Sequence, residues 1–279
     1  MPEITAAAVA KLREMTNAGM MDCKKALVEA KGDMSAAVDV LRKKGAATAT
    51  SKSAREAREG VIAQHIAPGG RLGLLVEVNC ETDFVARNDM FLAFADDVAR
   101  KLAANPRASL DADREAVVAK IRENIRIPRH ERMEVAGNGL IAGYIHTGAK
   151  IGVLVEVGAG KESTVANDEF KQLVKDITLQ IAAGHPFVVS RDQVPADVLA
   201  KEREIAAEQV KNKPPQVIAK IVDGKLEKFF QTYCLVDQGF VKKNSEISVK
   251  EHVASVAKSM ADDIAIRRFV RFQVGESVS

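Results

Sequence analysis

Two stretches of this sequence, "GVIAQHIAPGGRLGLLVEVN" at 60–79 and "GLIAGYIHTGAKIGVLVEVG" at 139–158, align without a gap at a shift of 79 residues. Ten of the 20 aligned positions are identical. Each stretch contains two apolar runs separated by a glycine-bearing turn, which is the pattern of a β-hairpin. The sequence therefore contains an internal duplication, and the hairpin is its best-preserved part.

The duplication continues beyond each hairpin. Apolar residues recur at spacings of three and four, which places them on one face of a helix. These residues are Phe91, Phe94, Val98 and Leu102 in the first copy and Phe170, Leu173, Ile177 and Ile181 in the second. A further related pair, "IRIPRHERMEV" at 125–135 and "IAIRRFVRFQV" at 264–274, closes each copy with a strand. Each copy is therefore predicted as hairpin, helix, helix and strand.

The second copy carries an insertion of about 60 residues. Its segment from Pro195 to Phe230 has a helical pattern that is interrupted at Lys213-Pro214-Pro215, so two antiparallel helices joined by a proline turn are expected. Two interpretations stay open. The helical hairpin is an arm for a partner or for a second copy of the chain, or it packs on its own domain.

The residues before the duplication have a different character. Glycines at 19, 32 and 45 divide the first 45 residues into three short helices, for which Thr5, Asp22 and Asp33 are suitable N-caps. The following stretch, "GAATATSKSAREAREG", is small and polar and is predicted as a linker. We expect a small three-helix module followed by the linker.

Together these patterns predict an α+β fold that consists of an N-terminal three-helix module and two repeated α+β subdomains, the second of which carries the inserted helical hairpin. The predicted domains are residues 1–45 for the three-helix module, 46–59 for the linker, 60–138 for the core N-subdomain, 139–188 with 233–279 for the core C-subdomain, and 189–232 for the insertion.

Composition narrows the class of function. Apolar residues make up 47% and charged residues 28% of the 279 residues, which is typical of a globular protein. The aromatic content of 4% and the net charge of +3 disfavour a binder of single-stranded nucleic acid. Three dispersed cysteines favour a reducing compartment, and no apolar run reaches 18 residues. The sequence shows no transit segment, which favours a bacterial cytoplasmic protein, although a mature organellar chain would look similar. We expect no direct contact to nucleic acid or membrane.

Signatures of bond chemistry are missing from the sequence. It contains no GxSxG and no HExxH, and its five histidines are scattered. The run Gly158-Ala159-Gly160-Lys161 lacks the first half of a phosphate loop, and Glu162 stands where Ser or Thr would hold magnesium. The chain is therefore interpreted as a binding protein and not an enzyme, with no metal and no cofactor of its own.

The two copies disagree at the loop that follows each hairpin. Thr82-Asp83-Phe84 in "NCETDFVARND" stands opposite Lys161-Glu162-Ser163. A fold that is built twice does not need a phenylalanine that occurs once, and burial of that side chain by a partner is worth about 1.5–3 kcal/mol. Phe84 is thus a candidate partner contact. The alternative is that its ring tucks under the helix that follows.

Three other places invite the same comparison. Met20 and Met21 follow a glycine, and methionine adapts well to binding surfaces, although one buried and one incidental methionine is the commoner outcome. His146 stands opposite Ala67 of the first copy. Phe240 and Val241 lie beside two lysines, where a solvated loop is the default.

Long motifs connect the sequence to a known family. "GMMDCKKAL" at 19–27, "NCETDFVARND" at 79–89 and "HTGAKIGVLVEV" at 146–157 resemble bacterial elongation factor Ts in the order in which that family has them. The resemblance runs from residue 3 to about residue 276. It implies a ubiquitin-associated-like first module, two related α+β subdomains with a helical-hairpin insertion, and nucleotide exchange on elongation factor Tu during translation elongation.

The resemblance also implies roles for particular residues. Thr82, Asp83, Phe84 and Val85 match the stretch that intrudes near the magnesium site of elongation factor Tu. Met20 and Met21 match contacts to the GTPase domain, as does His146, whereas Phe240 and Val241 match a contact to another surface of that partner. A homodimer through 195–232 is a further expectation.

Two departures from the family's pattern stand out. The family commonly has glycine after the isoleucine of "IGENI", whereas this chain has Ile121-Arg122. A partner contact at that loop is therefore expected to differ. Many members also continue beyond the "VGE" stretch into a further helical module that contacts the GTPase domain. This sequence ends at Ser279, so we expect that contact to be absent.

Two other classes of function compete with exchange. A general interaction scaffold would use the small module to bind a peptide and the insertion to dimerise, but it gives no reason for an acid-plus-aromatic loop in one copy alone. A protein that associates with ribosomes or RNA would bind with a steep dependence on salt, for which the nearly balanced charge gives little basis.

Overall fold

The computed structural model describes residues 4–16, 18–212 and 214–276. Its N-terminal module contains three helices: α1 (Ala6–Thr16), α2 (Met20–Glu29) and α3 (Met34–Lys52). Two of the three predicted caps are present, because the Thr5 hydroxyl accepts from the Ala8 amide at 3.2 Å and the Asp33 carboxylate accepts from the Ala36 amide at 2.7 Å. The predicted cap at Asp22 is wrong, because α2 begins at Met20 and Asp22 lies inside its first turn. Residues 1–3, 17, 213 and 277–279 of the predicted domains lie outside the described residues.

The first copy of the duplication follows this module. In chain order its elements are β1 (Glu59–Ile66), β2 (Leu72–Cys80), α4 (Asp83–Ala86), α5 (Asp89–Ala104), α6 (Asp111–Ile121) and β3 (Arg126–Glu134). The strands form a three-stranded sheet in the order β1-β2-β3. The hairpin and the closing strand are those that the repeat predicts, and the structure adds the one-turn helix α4.

The second copy repeats this order around the insertion. Its elements are β4 (Gly139–Ile145), β5 (Ile151–Ala159), α7 (Glu162–Ala166), α8 (Asp168–Gly184), α9 (Ala196–Glu208), α10 (Pro215–Tyr233), α11 (Val249–Ser259) and β6 (Ile264–Gln273). The sheet order is β4-β5-β6, and β4 pairs antiparallel with β5 from Gly139↔Gly158 to Ile145↔Gly152. Helices α9 and α10 pack on each other as predicted, and Lys213 of the predicted proline turn lies outside the described residues. The α+β prediction is confirmed.

The turns of the two hairpins have the same hydrogen bonds. In the first turn the Ala67 amide donates to the Leu72 carbonyl at 2.9 Å, and in the second the His146 amide donates to the Ile151 carbonyl at 2.9 Å. The shift of 79 residues relates these two bonds. His146 therefore occupies a turn position whose backbone is the same in both copies, and its side chain is what differs.

The predicted helix faces form the cores. Phe91, Phe94, Val98 and Leu102 are buried, and so are Phe170, Leu173, Ile177 and Ile181. The second group packs with Val153, Val155 and Val157 of β5 in one apolar cluster. The helical spacing of three and four thus identified the core of each copy correctly.

The third helix of the N-terminal module is longer than predicted. Gly45 was expected to end it, but α3 continues to Lys52 and takes up half of the expected linker. A Cβ atom at Gly45 would lie 3.4 Å from the Cβ of Ala119 and 3.6 Å from the carbonyl oxygen of Glu115, both in α6. The glycine therefore serves the close packing of α3 on α6 and not a helix terminus.

By its contacts the chain divides into two compact units. The first contains Met1–Ala63, Val76–His130 and Gln273–Ser279, and the second contains Gln64–Leu75 and Glu131–Phe272. The tip of the first hairpin thus belongs to the second unit. There a Cβ atom at Gly73 would lie 2.5 Å from the side chain of Ile141 and 2.7 Å from that of Leu154, so only glycine permits this close packing.

A buried glutamate lies in the middle strand of the first sheet. Glu77 is 2% exposed, and its carboxylate accepts from Arg129 Nε at 2.8 Å, from the Asn79 side-chain amide at 2.9 Å and from the Gly275 amide at 3.0 Å. An ionised carboxylate is tolerated in such a place only when it is paired and hydrogen-bonded. Arg129 therefore ties β3 to β2.

The second copy contains the same pair. Glu156, at the position equivalent to Glu77, is 2% exposed and accepts from Arg268 Nε at 2.8 Å and from Arg267 at 2.9 Å. Burial by itself would raise the pKa of Glu156, but the hydrogen bonds from Arg267 and Arg268 outweigh it, so the pKa lies below its ordinary value. The buried ion pair is therefore part of the repeated scaffold.

We expect Glu156→Gln to remove a pH-dependent part of the stability. A carboxyl group whose pKa is lowered by folding stabilises the fold above its unfolded pKa of about 4.3, and this contribution is lost as the pH falls through the lower folded pKa. Wild type should therefore resist urea better than the variant at pH 7, and the difference should shrink below about pH 4. Midpoints of urea unfolding measured between pH 7 and pH 3 test this.

The matched control is Glu56→Gln. The Glu56 side chain is 75% exposed and pairs with Arg58 in solvent, so its replacement should leave the difference from wild type near zero at every pH. A difference for Glu156→Gln that does not change with pH would contradict the expectation.

Candidate functional site

The loop after β2 is a single helical turn that presents a phenylalanine to solvent. Thr82 caps α4, because its side chain accepts from the Val85 amide at 3.3 Å. Phe84 is 83% exposed, the highest exposure among the large apolar side chains that the structure describes. The alternative in which Phe84 tucks under the next helix is therefore wrong for this structure.

The equivalent loop of the second copy has the same backbone without the ring. Helix α7 begins at Glu162, and Ser163, at the position equivalent to Phe84, is exposed. Both copies thus form a short helix between the hairpin and the long helix. The phenylalanine adds nothing that the second copy needs in order to fold.

Asp83 gives this turn a half-exposed carboxylate. Its side chain is 47% exposed and forms an ion pair with Arg87 at 3.3 Å. A surface pair of this kind is worth about 0–1 kcal/mol, so the carboxylate is free to exchange Arg87 for another cationic partner. An apolar ring and an acid therefore lie side by side on the surface.

The first turn of α2 exposes both methionines. Met20 is 56% exposed and Met21 is 63% exposed, so the expectation that one of them is buried is wrong. The core of the module takes Cys23, Ala26 and Leu27 from α2, and the two methionines precede that stripe at the start of the helix. Both thioether side chains are available to a partner.

The four-residue segment between α6 and β3 connects these two places. Arg122 forms an ion pair with Asp22, the neighbour of Met21, at 3.4 Å. The next residue, Glu123, accepts from the Thr82 amide at 3.0 Å and from the Thr82 hydroxyl at 2.7 Å. Sequence reasoning missed Glu123. The signal was present in the repeat. The closing segments 125–135 and 264–274 are related by a shift of 139 residues, and the same shift places the acidic residue Asp262 opposite Glu123.

Arg122 has a backbone conformation that suits glycine. It caps the C-terminus of α6 with φ 63° and ψ 26°, in the left-handed region. Glycine, the residue that the resemblance leads one to expect here, adopts that conformation without steric cost. The arginine side chain meanwhile contacts Asp22, whose pKa is lowered mainly by its hydrogen bond from Lys44 and further by Arg122.

His146 is exposed at the tip of the second hairpin. Its ring Nδ1 lies 2.9 Å from the hydroxyl of Tyr144, which lies two residues earlier, near the end of β4. The hydrogen bond restricts the rotation of the imidazole and leaves Nε2 for a partner.

Phe240 and Val241 differ in their exposure. Phe240 is 1% exposed, and its ring stacks on His252 at a centroid distance of 4.2 Å. Val241 is 41% exposed. The expectation of a partner contact at Phe240 therefore needs correction, because its ring belongs to the core of the second copy. Val241 is the member of the pair that faces solvent.

The part of the chain that the structure describes contains no candidate for a metal site or a membrane span. Within 4–16, 18–212 and 214–276, no three His, Cys, Asp or Glu side chains converge in the way that metal ligands do. No helix in those ranges is both long enough and apolar enough to cross a bilayer.

Comparison with known proteins identifies relatives along the whole chain. The family model described as Elongation factor TS matches residues 81–276. Elongation factor Ts of Symbiobacterium thermophilum is 45% identical over 287 residues, which cover 100% of this chain and 94% of that protein. The proteins of the same name from Clostridioides difficile and Nautilia profundicola are 44% and 41% identical, and in each case all of this chain and 95% of the relative are covered.

We expect Arg122→Gly to be more stable than Arg122→Ala by about 1 kcal/mol, since both lose the exposed ion pair with Asp22 and only glycine relieves the left-handed backbone. Thermal unfolding should show a difference of roughly 2–4 °C between the two variants. If the alanine variant melts at the same temperature or higher, the left-handed conformation at residue 122 carries no measurable strain.

Proposed function

The chain belongs to the elongation factor Ts family, and from this premise we propose that it binds elongation factor Tu in its GDP form and accelerates the release of GDP. Family membership implies an exchange factor that acts on elongation factor Tu in translation elongation. The finer proposal concerns how the residues of this chain open the nucleotide site. It also places the chain in the bacterial cytoplasm, where that partner works.

The observation that carries the proposal is the exposure of Phe84 next to Asp83. Exposing 83% of a phenylalanine leaves most of its burial energy unused in the free protein. A pocket of the partner that accepts the ring recovers about 1.5–3 kcal/mol. Because the second copy folds with a serine at this position, selection for folding alone does not account for the ring.

The mechanism follows from the way in which GTPases hold GDP. Backbone amides of a phosphate loop and a magnesium ion bind the β-phosphate. We propose that Phe84 wedges between elements of the GTPase domain, while the Asp83 carboxylate leaves Arg87 and disturbs the ligands of the partner's magnesium. Thr82 and Val85 close this turn, because the Val85 amide donates a hydrogen bond to the Thr82 side chain. Neither Asp83 nor Phe84 has to touch GDP.

GDP and this chain both bind elongation factor Tu, and exchange is the coupling between these two binding events. If the chain weakens GDP binding by a given factor, GDP weakens binding of the chain by the same factor. One phenylalanine supplies one to two factors of ten, at about 1.4 kcal/mol for each. A larger effect therefore needs several contacts that act together.

The other exposed candidates provide those contacts. We propose that Met20 and Met21 bind the GTPase domain with their adaptable side chains and that His146 binds it through Nε2. Val241 contacts a further surface of elongation factor Tu, and Phe240 holds Val241 in place from the core. The chain changes no covalent bond in this process and needs no cofactor or metal of its own.

Phe84→Ala is expected to reduce the acceleration of GDP release by roughly 10- to 100-fold at limiting concentration, since it removes one buried aromatic contact. Asp83→Ala should also reduce it, and both variants should melt within a few degrees of wild type because these side chains are exposed. The measurement is the release rate of fluorescent GDP from elongation factor Tu with unlabelled GDP in excess.

Phe187→Ala is the matched control, because Phe187 is 60% exposed and lies outside the proposed contacts. Its exchange activity should equal that of wild type. A folded wild-type chain that leaves GDP release unchanged would contradict the proposed function. Unimpaired Asp83→Ala and Phe84→Ala variants would show that the mechanism lies in another loop.

We further propose that the insertion pairs with a second copy of the chain. Ala206 and Leu226 are buried in the α9/α10 hairpin, whereas Ile205 is 41% exposed and Val217 is 43% exposed. Each of these two aliphatic side chains is an exposed apolar contact that a second copy of the hairpin can cover.

Sedimentation of wild type over a range of concentrations should therefore show a reversible dimer. The double variant Ile205→Glu with Val217→Glu should sediment as a monomer, because it places charges in the interface. Asp223→Lys reverses a charge at an exposed position of α10 that is not a helix-face neighbour of Val217, and it should leave the dimer intact. A wild-type chain that stays monomeric at high concentration would refute this proposal.

A further inference from the structure

We infer that Glu123 is a positioning residue for exchange: its carboxylate holds the Thr82–Val85 turn in the conformation that presents Phe84. This inference rests on the function proposed above and adds a residue that neither the motif analysis nor the exposed surface indicated. Glu123 lies outside the loop itself, in the segment between α6 and β3.

The carboxylate of Glu123 makes three hydrogen bonds to the start of the loop. Oε2 accepts from the amides of Glu81 and Thr82, each at 3.0 Å, and Oε1 accepts from the Thr82 hydroxyl at 2.7 Å. With its proton directed to Glu123, the Thr82 oxygen presents a lone pair to the Val85 amide at 3.3 Å. Asp83 and Phe84 lie inside the turn that this relay closes.

The segment that carries Glu123 is itself held firmly. Asn124 is 1% exposed, its amide donates to the Glu81 carboxylate at 2.6 Å, and its side chain donates to the Arg55 carbonyl at 2.7 Å. On the other side, Arg122 ends α6 in the left-handed conformation and pairs with Asp22. Glu123 therefore has a fixed backbone from which to hold the loop.

The second copy contains a corresponding set of hydrogen bonds from a carboxylate to the loop after its hairpin. We call each of these two sets a carboxylate clamp. Asp262, equivalent to Glu123 at the shift of 139, accepts from the Lys161 amide at 3.0 Å and from the Thr164 hydroxyl at 2.6 Å. Lys161 is equivalent to Thr82. The clamp thus belongs to the repeated scaffold, but in the first copy the loop that it holds carries the exposed ring.

Fixing the loop matters for exchange because a four-residue helix does not hold its shape alone. Without the clamp, the turn would have to be ordered at the moment of binding, and that entropy would be subtracted from the energy of inserting Phe84. The chain would still bind elongation factor Tu through the methionines and His146. The ring would then be inserted in a smaller share of the complexes.

The test compares Glu123→Ala with Asp262→Ala, which removes the equivalent clamp from the copy that lacks the phenylalanine. GDP release from elongation factor Tu is measured across a range of concentrations of each full-length variant, and circular dichroism checks the fold. We expect Glu123→Ala to lower the maximal release rate at saturation by roughly tenfold. Asp262→Ala should stay within about twofold of wild type despite a comparable loss of stability.

The maximal rate separates positioning from simple damage to the fold. A smaller folded fraction shifts the concentration that gives half of the maximal rate and leaves the maximum unchanged. Glu123→Gln keeps an acceptor oxygen and the shape of the side chain, so it should recover much of the maximal release rate. The same variant provides the test if Glu123→Ala does not fold. In the Phe84→Ala background, Glu123→Ala should have little further effect, because both act on the same contact.

The outcomes distinguish this inference from the function on which it rests. If wild type accelerates release and folded Glu123→Ala reaches the same maximum, the inference is wrong and the proposed function stands. Equal losses of maximal rate in Glu123→Ala and Asp262→Ala would also overturn it. If wild type itself does not accelerate release, both fail together.

Discussion

The architecture depends on a buried glutamate that an arginine from the neighbouring strand must reach, and the chain builds this pair twice. Glu77 with Arg129 and Glu156 with Arg268 have the same Nε–carboxylate distance of 2.8 Å. Removing the arginine would leave a buried charge, which costs about 3–5 kcal/mol. The closing strand β3 is largely polar, so alternation of apolar residues specifies its register only weakly. The ion pair supplies the specificity that the apolar pattern lacks.

Because the same ion pair fixes the sheet in both copies, the loop sequences of the two copies can differ without loss of the fold. The hairpin turns share their hydrogen bonds, yet one carries Ala67 and the other His146. The loops after the hairpins share a short helix and a carboxylate clamp, yet only one presents a phenylalanine. Each copy thus contributes a different exposed side chain to the proposed contacts. Duplication provided two sites of equal backbone shape, and binding residues were placed on them independently.

The sequence predicted the parts of the fold that depend on periodicity and repetition. The hairpins and the buried helix faces follow from spacings that the two copies share, and the helical insertion follows from its own helical pattern and proline interruption. The errors have a common cause in contacts between distant residues. Gly45 packs on α6 and does not end its helix, and Phe240 is drawn into a core by His252. Both methionines lie just outside the apolar stripe of α2, a position that depends on where the neighbouring helices end.

The clamp explains how a stable loop can leave its largest apolar side chain unused. Loops are commonly ordered by tucking such a side chain into the core, and that packing would consume the burial energy that a partner contact needs. Here the ordering comes from Glu123, whose hydrogen bonds hold the backbone at Glu81 and Thr82 and need nothing from Phe84. Hydrogen bonds thus order the loop, and the ring of Phe84 stays exposed, so that its burial energy is gained only when a partner binds it. A loop that must be both rigid and apolar on its surface has few other solutions, because packing supplies rigidity only by hiding the ring.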